Sequence, residues 1–528
     1  MVAGSFVVAA IDVTIRHFRS IGLDNTMPFD RVPSEHTTRA AALSELGLLG
    51  GCYPPESNTE GTFVWAPGRF RLRPSQEAKF MRLEFVYLAA PGNMKVHQDG
   101  ILVEELPLRK GWQECFLQVP ANRGWLDITV DPVASVANDT RELGMMLRTV
   151  TLFNDKQRYT QARATAANAL LNDEEFRTGT LQLRSYPQYL RINSETRCNI
   201  PETSRACTYC AWDAIKQMEK GSPEFRLETL DLLGEFYRGA VALGDCSVGE
   251  PTMNKEFAEI LLRFHRDGKP FTFATNGQLL VEKRRRELLG RNVTVYVSLD
   301  AATTEGFKRY RNDRFESIIK NLRALCAEKR EHENLPTVFA SIIVMRSNVK
   351  DLPEYFDLMK DIGVDQVKCR TLYLDDKVTP VVKNNEYLFD YASEILSMSE
   401  LLQLTQVVRE LADARGVTVY LEWDEFEPAE IHGTGEPLCA EPWKTLYVLN
   451  RGVMPCCYAT KPLAKWEEQG DRPLQEFLRD TFNSEEYQHI RAELAAGQLA
   501  KYCKDTPSCP VLKRMLHAGS DPNLTERY

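Results

Sequence analysis

The chain has 528 residues, enough for about three domains, and 43% hydrophobic with 26% charged residues is ordinary globular composition. A formal charge of −9 argues against nucleic acid or an anionic membrane as the main partner, because both need a basic surface. No apolar run is long enough to span a bilayer, so the expected location is cytoplasmic, and thirteen cysteines there point to metal or catalysis rather than disulfides.

The start, MVAGSFVVAAIDVTIRHF, lacks a basic segment ahead of its apolar stretch and reads as a strand rather than a signal peptide. Residues 1–155 are β-rich. RFRLRP, MRLEFVYLAA, NMKVHQDG, ECFLQVP and LDITVDP are short alternating runs broken by Pro, Gly, Asn and Asp, the pattern of a β-sandwich-like domain. Residues 156–185 read as a helical connector.

Over 186–415 strands alternate with helices. The strand candidates are Tyr189–Asn193, Ala240–Ser247, Phe271–Thr275, Val293–Leu299, Thr337–Met345 and Gln366–Tyr373. Helical spacing of apolar residues fills the gaps, as in NKEFAEILLRFHRD and RFESIIKNLRALCAEKREH. The expected fold class is therefore α/β, a partial (β/α)6 barrel with its chemistry at the carboxyl ends of the strands. Residues 416–528 form a small Cys-rich domain with little periodicity, short on core and suited to stabilisation by metal.

The stretch CNIPETSRACTYC places Cys198, Cys207 and Cys210 in one loop after the first barrel strand. Three thiolates can hold a four-iron cluster and leave one iron for a small molecule. A zinc site is the alternative, and it needs a fourth ligand that the loop does not contain.

This loop resembles that of the radical S-adenosylmethionine (SAM) enzymes, which usually read C-x3-C-x2-C; here the first gap is five residues longer. Further motifs follow in that family's order. SVGEPT resembles the GGEP motif, and FATNG follows the third strand. VYVSLDAAT resembles the fourth-strand SLDA motif and is followed by GFKRYRN. The resemblance implies a four-iron, four-sulfur (4Fe-4S) cluster and S-adenosyl-L-methionine as cofactors. It places Gly249, Glu250, Pro251 and Asn276 at the methionine end, and Ser298 and Asp300 at the ribose. Arg346 and Arg370 become candidate carboxylate partners. It also implies an external electron donor, a flavodoxin, ferredoxin or reductase.

CAEPWKTLYVLNRGVMPCCY resembles the start of a SPASM or twitch extension. That resemblance implies one auxiliary 4Fe-4S cluster on Cys439, Cys457, Cys503 and Cys509, with Cys456 able to replace Cys457; a four-thiolate zinc ribbon is the alternative. Two further thiols near strand ends, Cys246 and Cys369, are candidate hydrogen-atom donors to a substrate radical. Burial as small core residues is the competing reading.

The expected substrate is a saccharide or glycosylated compound, epimerised or oxidised. DTRELGMMLRTVTLF resembles segments of glycan-biosynthesis proteins, and Trp65, Trp112 and Trp125 are candidate sugar-stacking rings. A peptide maturase is the enzyme alternative. A metal-stabilised carbohydrate-binding protein is the alternative from another class.

Overall fold

The computed structural model describes residues 37–39, 49–58, 61–74, 78–89, 91–119, 124–135, 139–200, 207–210, 224–332, 334–372, 381–384, 387–424, 437–456, 459, 461–504, 509 and 512. The strand expected near the start lies outside them, as does Cys457. Two compact units divide the chain, one around Asn25–Ala167 and one comprising Asn168–His265 and Lys269–Tyr528, apart from short exchanged segments.

The first unit holds β1 (Thr37–Arg39), β2 (Leu49–Gly50), β3 (Glu56–Asn58), β4 (Gly61–Ala66), β5 (Arg69–Leu72), β6 (Phe80–Tyr87), β7 (Gly92–Gln98), β8 (Ile101–Leu108), β9 (Gly111–Gln118), β10 (Leu126–Asp131) and β11 (Met145–Phe153). One antiparallel sheet runs β3-β4-β11-β6-β9, with β1 also on β11. The other runs β2-β5-β10-β7-β8. Alternation builds the core between them: Met81, Leu83 and Phe85 of β6 share one apolar cluster with Met94 and Val96 of β7 and Leu126, Ile128 and Val130 of β10. All five quoted strand runs are strands. β1, β2, β3, β4, β8 and β11 are strands outside those five runs. β8 hides because its pattern is not one of inward apolar residues: Ile101 is 72% exposed and Pro107 interrupts the run.

Helix α1 (Lys156–Arg177) begins in the first unit and ends in the second. The second unit is built on one nine-stranded sheet. Its strands are β12 (Tyr189–Ile192), β13 (Ala242–Asp245), β14 (Phe271–Thr275), β15 (Val293–Ser298), β16 (Thr337–Val344), β17 (Gln366–Thr371), β20 (Thr418–Leu421), β21 (Thr445–Leu449) and β22 (Gly452–Met454). A separate hairpin pairs β18 (Val381–Asn384) with β19 (Tyr387–Asp390). The sheet order is β20-β17-β16-β15-β14-β13-β12-β21-β22, parallel throughout except for the final pair. All six strands expected from alternation are present, and among the described residues the path does not close, as in a partial barrel.

One expectation needs correction. The boundary drawn at 415/416 falls inside this sheet, because β20 pairs with β17 and β21 pairs with β12. Thr445–Leu449 is buried at every position. Such a strand has no alternation to betray which sheet it joins. Two arginines of the C-terminal segment, buried Arg491 and half-buried Arg479, also reach back. Arg491 donates to the carbonyls of Pro442 (2.9 Å) and Leu181 (2.8 Å), and Arg479 to those of Leu183 (2.8 Å) and Ser185 (2.7 Å).

Period-two alternation assigns the two faces of the sheet. Leu243, Phe271, Phe273, Val295, Val297, Ala340, Ile342, Val367 and Cys369 join the main core with the helices, including Phe257–Arg266 (α2), Phe315–Glu328 (α3) and Leu352–Ile362 (α4). The other parity faces the barrel interior, where the Lys368 ammonium lies 5.2 Å from the Tyr296 ring and 5.0 Å from the Tyr420 ring. Among the described residues no helix is long and apolar enough to cross a membrane.

Candidate functional site

The loop that leaves β12 carries Cys198, and the turn after β13 clamps it. Ser247 Oγ accepts from Glu195 N (2.9 Å) and donates to Asp245 Oδ1 (2.5 Å). Glu250 N donates to Arg197 O (2.8 Å). Gly249 sits where a Cβ would collide with the carbonyl oxygens of Glu195 and Arg197, so the close approach of turn to loop requires glycine. Pro251 opens a short 3₁₀ turn.

The Glu250 carboxylate is almost fully buried and accepts from Thr252 Oγ1 (2.5 Å), Thr275 Oγ1 (2.7 Å), Asn276 N (2.7 Å) and Thr252 N (3.2 Å). Burial pushes its pKa up and these hydrogen bonds pull it back. Glu250 therefore fastens the turn after β13 to the end of β14. Asn276 is fixed in the same place. Its Nδ2 donates to Asn199 Oδ1 (2.7 Å) and lies 4.0 Å from Cys198 Sγ.

Cys207 and Cys210 form a tight turn, with Cys210 N donating to Cys207 O (3.0 Å) and Thr208 N to Tyr310 O (2.9 Å). Asp300, just past β15, is 1% exposed. Its Oδ2 takes the Tyr209 hydroxyl and Arg311 Nε (2.6 Å), and its Oδ1 takes Ile343 N (2.9 Å). Both oxygens of Asp300 thus serve protein donors. Ser298 ends β15 half-buried and on the interior face. Arg311 and Tyr209 carry the geometry here. They stand in GFKRYRN and CTYC, motifs visible in the sequence without any pointer to each other.

All three loop thiols are half-buried. Burial pushes Cys198 up to about 12. Cys207 is also raised by burial, with the Arg311 guanidinium acting against that rise. Burial thus works against ionisation of Cys198 and Cys207, and a metal centre would have to displace their protons.

The two donor candidates separate. Cys246 continues the interior parity of β13 and packs with Tyr447, Leu449, Met454 and Ala459. Cys369 shares the parity of Val367, is fully buried in the helix-facing core, and is pushed far up by burial. As a donor it is corrected to a packing residue. The two arginines separate as well. Arg370 stands at the carboxyl end of β17 on the interior face, 3.5 Å from Glu422 Oε1. Arg346 is exposed and pairs with Glu400 (2.6 Å) at the start of Met398–Asp413 (α5), so it is corrected to a surface cation.

In the C-terminal segment Cys439, Cys503 and Cys509 lie close enough to oppose one another's ionisation. Cys439 is raised by burial first, then by Glu441, Cys509 and Cys503. Cys456 packs instead on the patch that also receives Cys246 and Tyr502. Among the described residues no three His, Cys, Asp or Glu side chains converge on one metal ion. A four-iron cluster spreads its thiolates over the corners of a cube; Cys198 lies beside Asn276 past the end of β14, and Cys207, with Cys210 in the same turn, lies beside Arg311 past the end of β15.

Residues 200–359 match the family model described as Radical SAM superfamily. Among curated proteins, the chain is 28% identical over 206 residues to the S-adenosyl-L-methionine-dependent tRNA 4-demethylwyosine synthase TYW1 of Mus musculus, covering 38% of this chain and 25% of that one. It is 24% identical over 253 residues to the tungsten-containing aldehyde ferredoxin oxidoreductase cofactor-modifying protein of Pyrococcus furiosus, covering 46% and 63%. The chain thus spans less than two thirds of the length of either relative. Among solved structures, Streptococcus suis SuiB matches at a TM-score of 0.41 and 15% identity, over 65% of this chain and 74% of that one. The anSMEcpe structure with bound AdoMet matches at 0.39 and 15%, over 65% and 97%.

Proposed function

The chain carries a radical SAM domain, and we propose that it uses this domain to abstract a hydrogen atom from a substrate carbon. The cofactors of that family are a 4Fe-4S cluster and S-adenosylmethionine, and its enzymes need an electron donor. When bound, the externally reduced cluster would supply the one electron that cleaves S-adenosylmethionine and so provides the hydrogen-abstracting radical. The observation that carries the reading is the clamp of Cys198, Cys207 and Cys210 at the carboxyl ends of β12–β15.

This chain's residues have definable tasks. Cys198, Cys207 and Cys210 hold the cluster. Gly249 lets the turn approach the loop, and Glu250 fixes that turn so that its backbone can meet the amino group of S-adenosylmethionine. Ser298 and Arg370, both on the interior face, are assigned to its ribose and carboxylate. The auxiliary cluster is assigned to Cys439, Cys503 and Cys509 with Cys457 or Cys456. The first unit is assigned as an accessory domain. Of the two candidate thiols, Cys246, on the interior parity of β13, is assigned to return a hydrogen atom.

For the substrate, the saccharide reading loses its residue-level support. Trp65 is 0% exposed, Trp112 lies under the Arg148 guanidinium at 5.6 Å, and Trp125 covers Gly50. A polypeptide is the better reading. Among the described residues β8 is an unpaired sheet edge with Ile101 and Leu102 exposed, a surface to which an extended peptide can add. The test is anaerobic incubation of reduced, reconstituted enzyme with S-adenosylmethionine. Formation of 5′-deoxyadenosine that requires all three loop cysteines is expected, and stoichiometric zinc with no labile sulfide would sink the reading.

A further inference from the structure

Arg311 is 8% exposed, and its guanidinium is held on several sides. Nε donates to Asp300 Oδ2 at 2.6 Å, and the Tyr209 ring centroid lies 5.6 Å away. Asp300 cannot swing aside, because the Tyr209 hydroxyl and Ile343 N hold its oxygens. A buried ion pair needs no more than this to be satisfied. Yet Nη1 is aimed at the Cys207 sulfur, 3.8 Å away. The backbone repeats the tie one residue earlier, where Thr208 N donates to Tyr310 O. The segment carrying Arg311 is therefore fastened to the loop carrying Cys207 by both main chain and side chain.

We propose that Arg311 is a positioning residue that raises the reduction potential of the loop cluster through its contact with Cys207, and that Asp300 opposes it. The proposal rests on the radical SAM reading above. Reduction adds negative charge that spreads over iron and sulfur. A hydrogen bond or a cation at a ligating sulfur stabilises the reduced form and raises the potential, whereas a nearby carboxylate lowers it. Burial weakens screening by water, so both influences persist at physiological ionic strength. The ion pair is thus an oriented dipole whose positive end faces the sulfur.

The test is an electron paramagnetic resonance redox titration of the full reconstituted chain without S-adenosylmethionine, following the signal that Cys207→Ala removes. Arg311→Met is expected to lower the potential, by an amount equal to about a tenfold fall in the reduced-to-oxidised ratio at fixed potential, about 59 mV for one electron. Asp300→Asn is expected to shift it the opposite way, and Arg311→Lys to fall between wild type and Met. Unshifted potentials with the cluster intact, or shifts of the same sign in Arg311→Met and Asp300→Asn, would overturn the proposal, because loosened packing has no reason to produce opposite signs. If Arg311→Met does not assemble its cluster, the Lys and Asn variants decide, and failure of Asp300→Asn to raise the potential overturns it. Absence of any Cys207-dependent signal in the wild type would instead defeat the radical SAM reading itself.

Discussion

The two groups of cysteines in the second unit are built on different principles. Cys198, Cys207 and Cys210 stand among polar side chains, with Asn276 near the first and Arg311 near the second. Cys439, Cys503 and Cys509 face one another, and Glu441 adds negative charge beside Cys439. A cation at a cluster ligand favours the reduced state, and negative charge favours the oxidised one. The first surroundings mix both signs, with Glu250 acting on Cys198 and Asp300 on Cys207, and what sets them apart is the Arg311 cation at a ligand sulfur. The second suit a centre that is harder to reduce.

The largest test of this difference is removal of one group at a time. Cys207→Ala is expected to abolish 5′-deoxyadenosine formation altogether and to remove one cluster's worth of iron and sulfide, because the electron source goes with the ligand. Cys503→Ala is expected to lose a similar amount of iron while 5′-deoxyadenosine still forms, uncoupled from product. If Cys503→Ala also stops cofactor cleavage, the two groups do not divide the work as described. Iron and sulfide analysis together with product chromatography reads both variants.

Much of this was legible in the sequence, for local reasons. The barrel strands announce themselves as Val, Ile and Phe runs between helical patterns, and each cofactor motif is contiguous. What escaped lies across the fold. Asp300 reads as a strand-end carboxylate until Arg311, eleven residues on, is seen to fold back onto it. Thr445–Leu449 is apolar on both faces, so nothing in its pattern assigns it to β12 rather than to a separate C-terminal domain. Cys369 differs, because its side is already written in the sequence. In VKCRT the charged Lys368 and Arg370 alternate with Val367 and Cys369, and that alternation already puts the thiol on the helix side.

The thiol comparison carries a smaller test. Cys246→Ala is expected to end incorporation of solvent deuterium into product while cofactor cleavage continues. Cys369→Ala is expected to leave the product unchanged and to cost about 1 kcal/mol of stability, as substitutions commonly do. Loss of deuterium in Cys369→Ala but not in Cys246→Ala, read by mass spectrometry, would reverse the assignment.

The two arginines provide the smallest effects and the finest discrimination. Arg370→Met is expected to weaken S-adenosylmethionine binding about tenfold, about 1.4 kcal/mol. Arg346→Met is expected to leave that binding unchanged, since its guanidinium serves Glu400 and the carbonyls of Ser393 and Ile395. Its consequence is confined to the start of α5. There Ser397 and Glu400 form a capping box, and the Glu400 carboxyl is held down to about 2, first by Arg346 and then by Ser397. A carboxylate whose folded pKa is depressed stabilises the fold above its unfolded value of about 4.3, and that contribution fades as pH falls toward the folded value. The difference in melting temperature between wild type and Arg346→Met should therefore be constant from neutral pH down to about 5 and shrink as the pH falls from there toward 2. Thermal melts across that range check it. A difference that grew on acidification would mean that Arg346 acts through something other than Glu400.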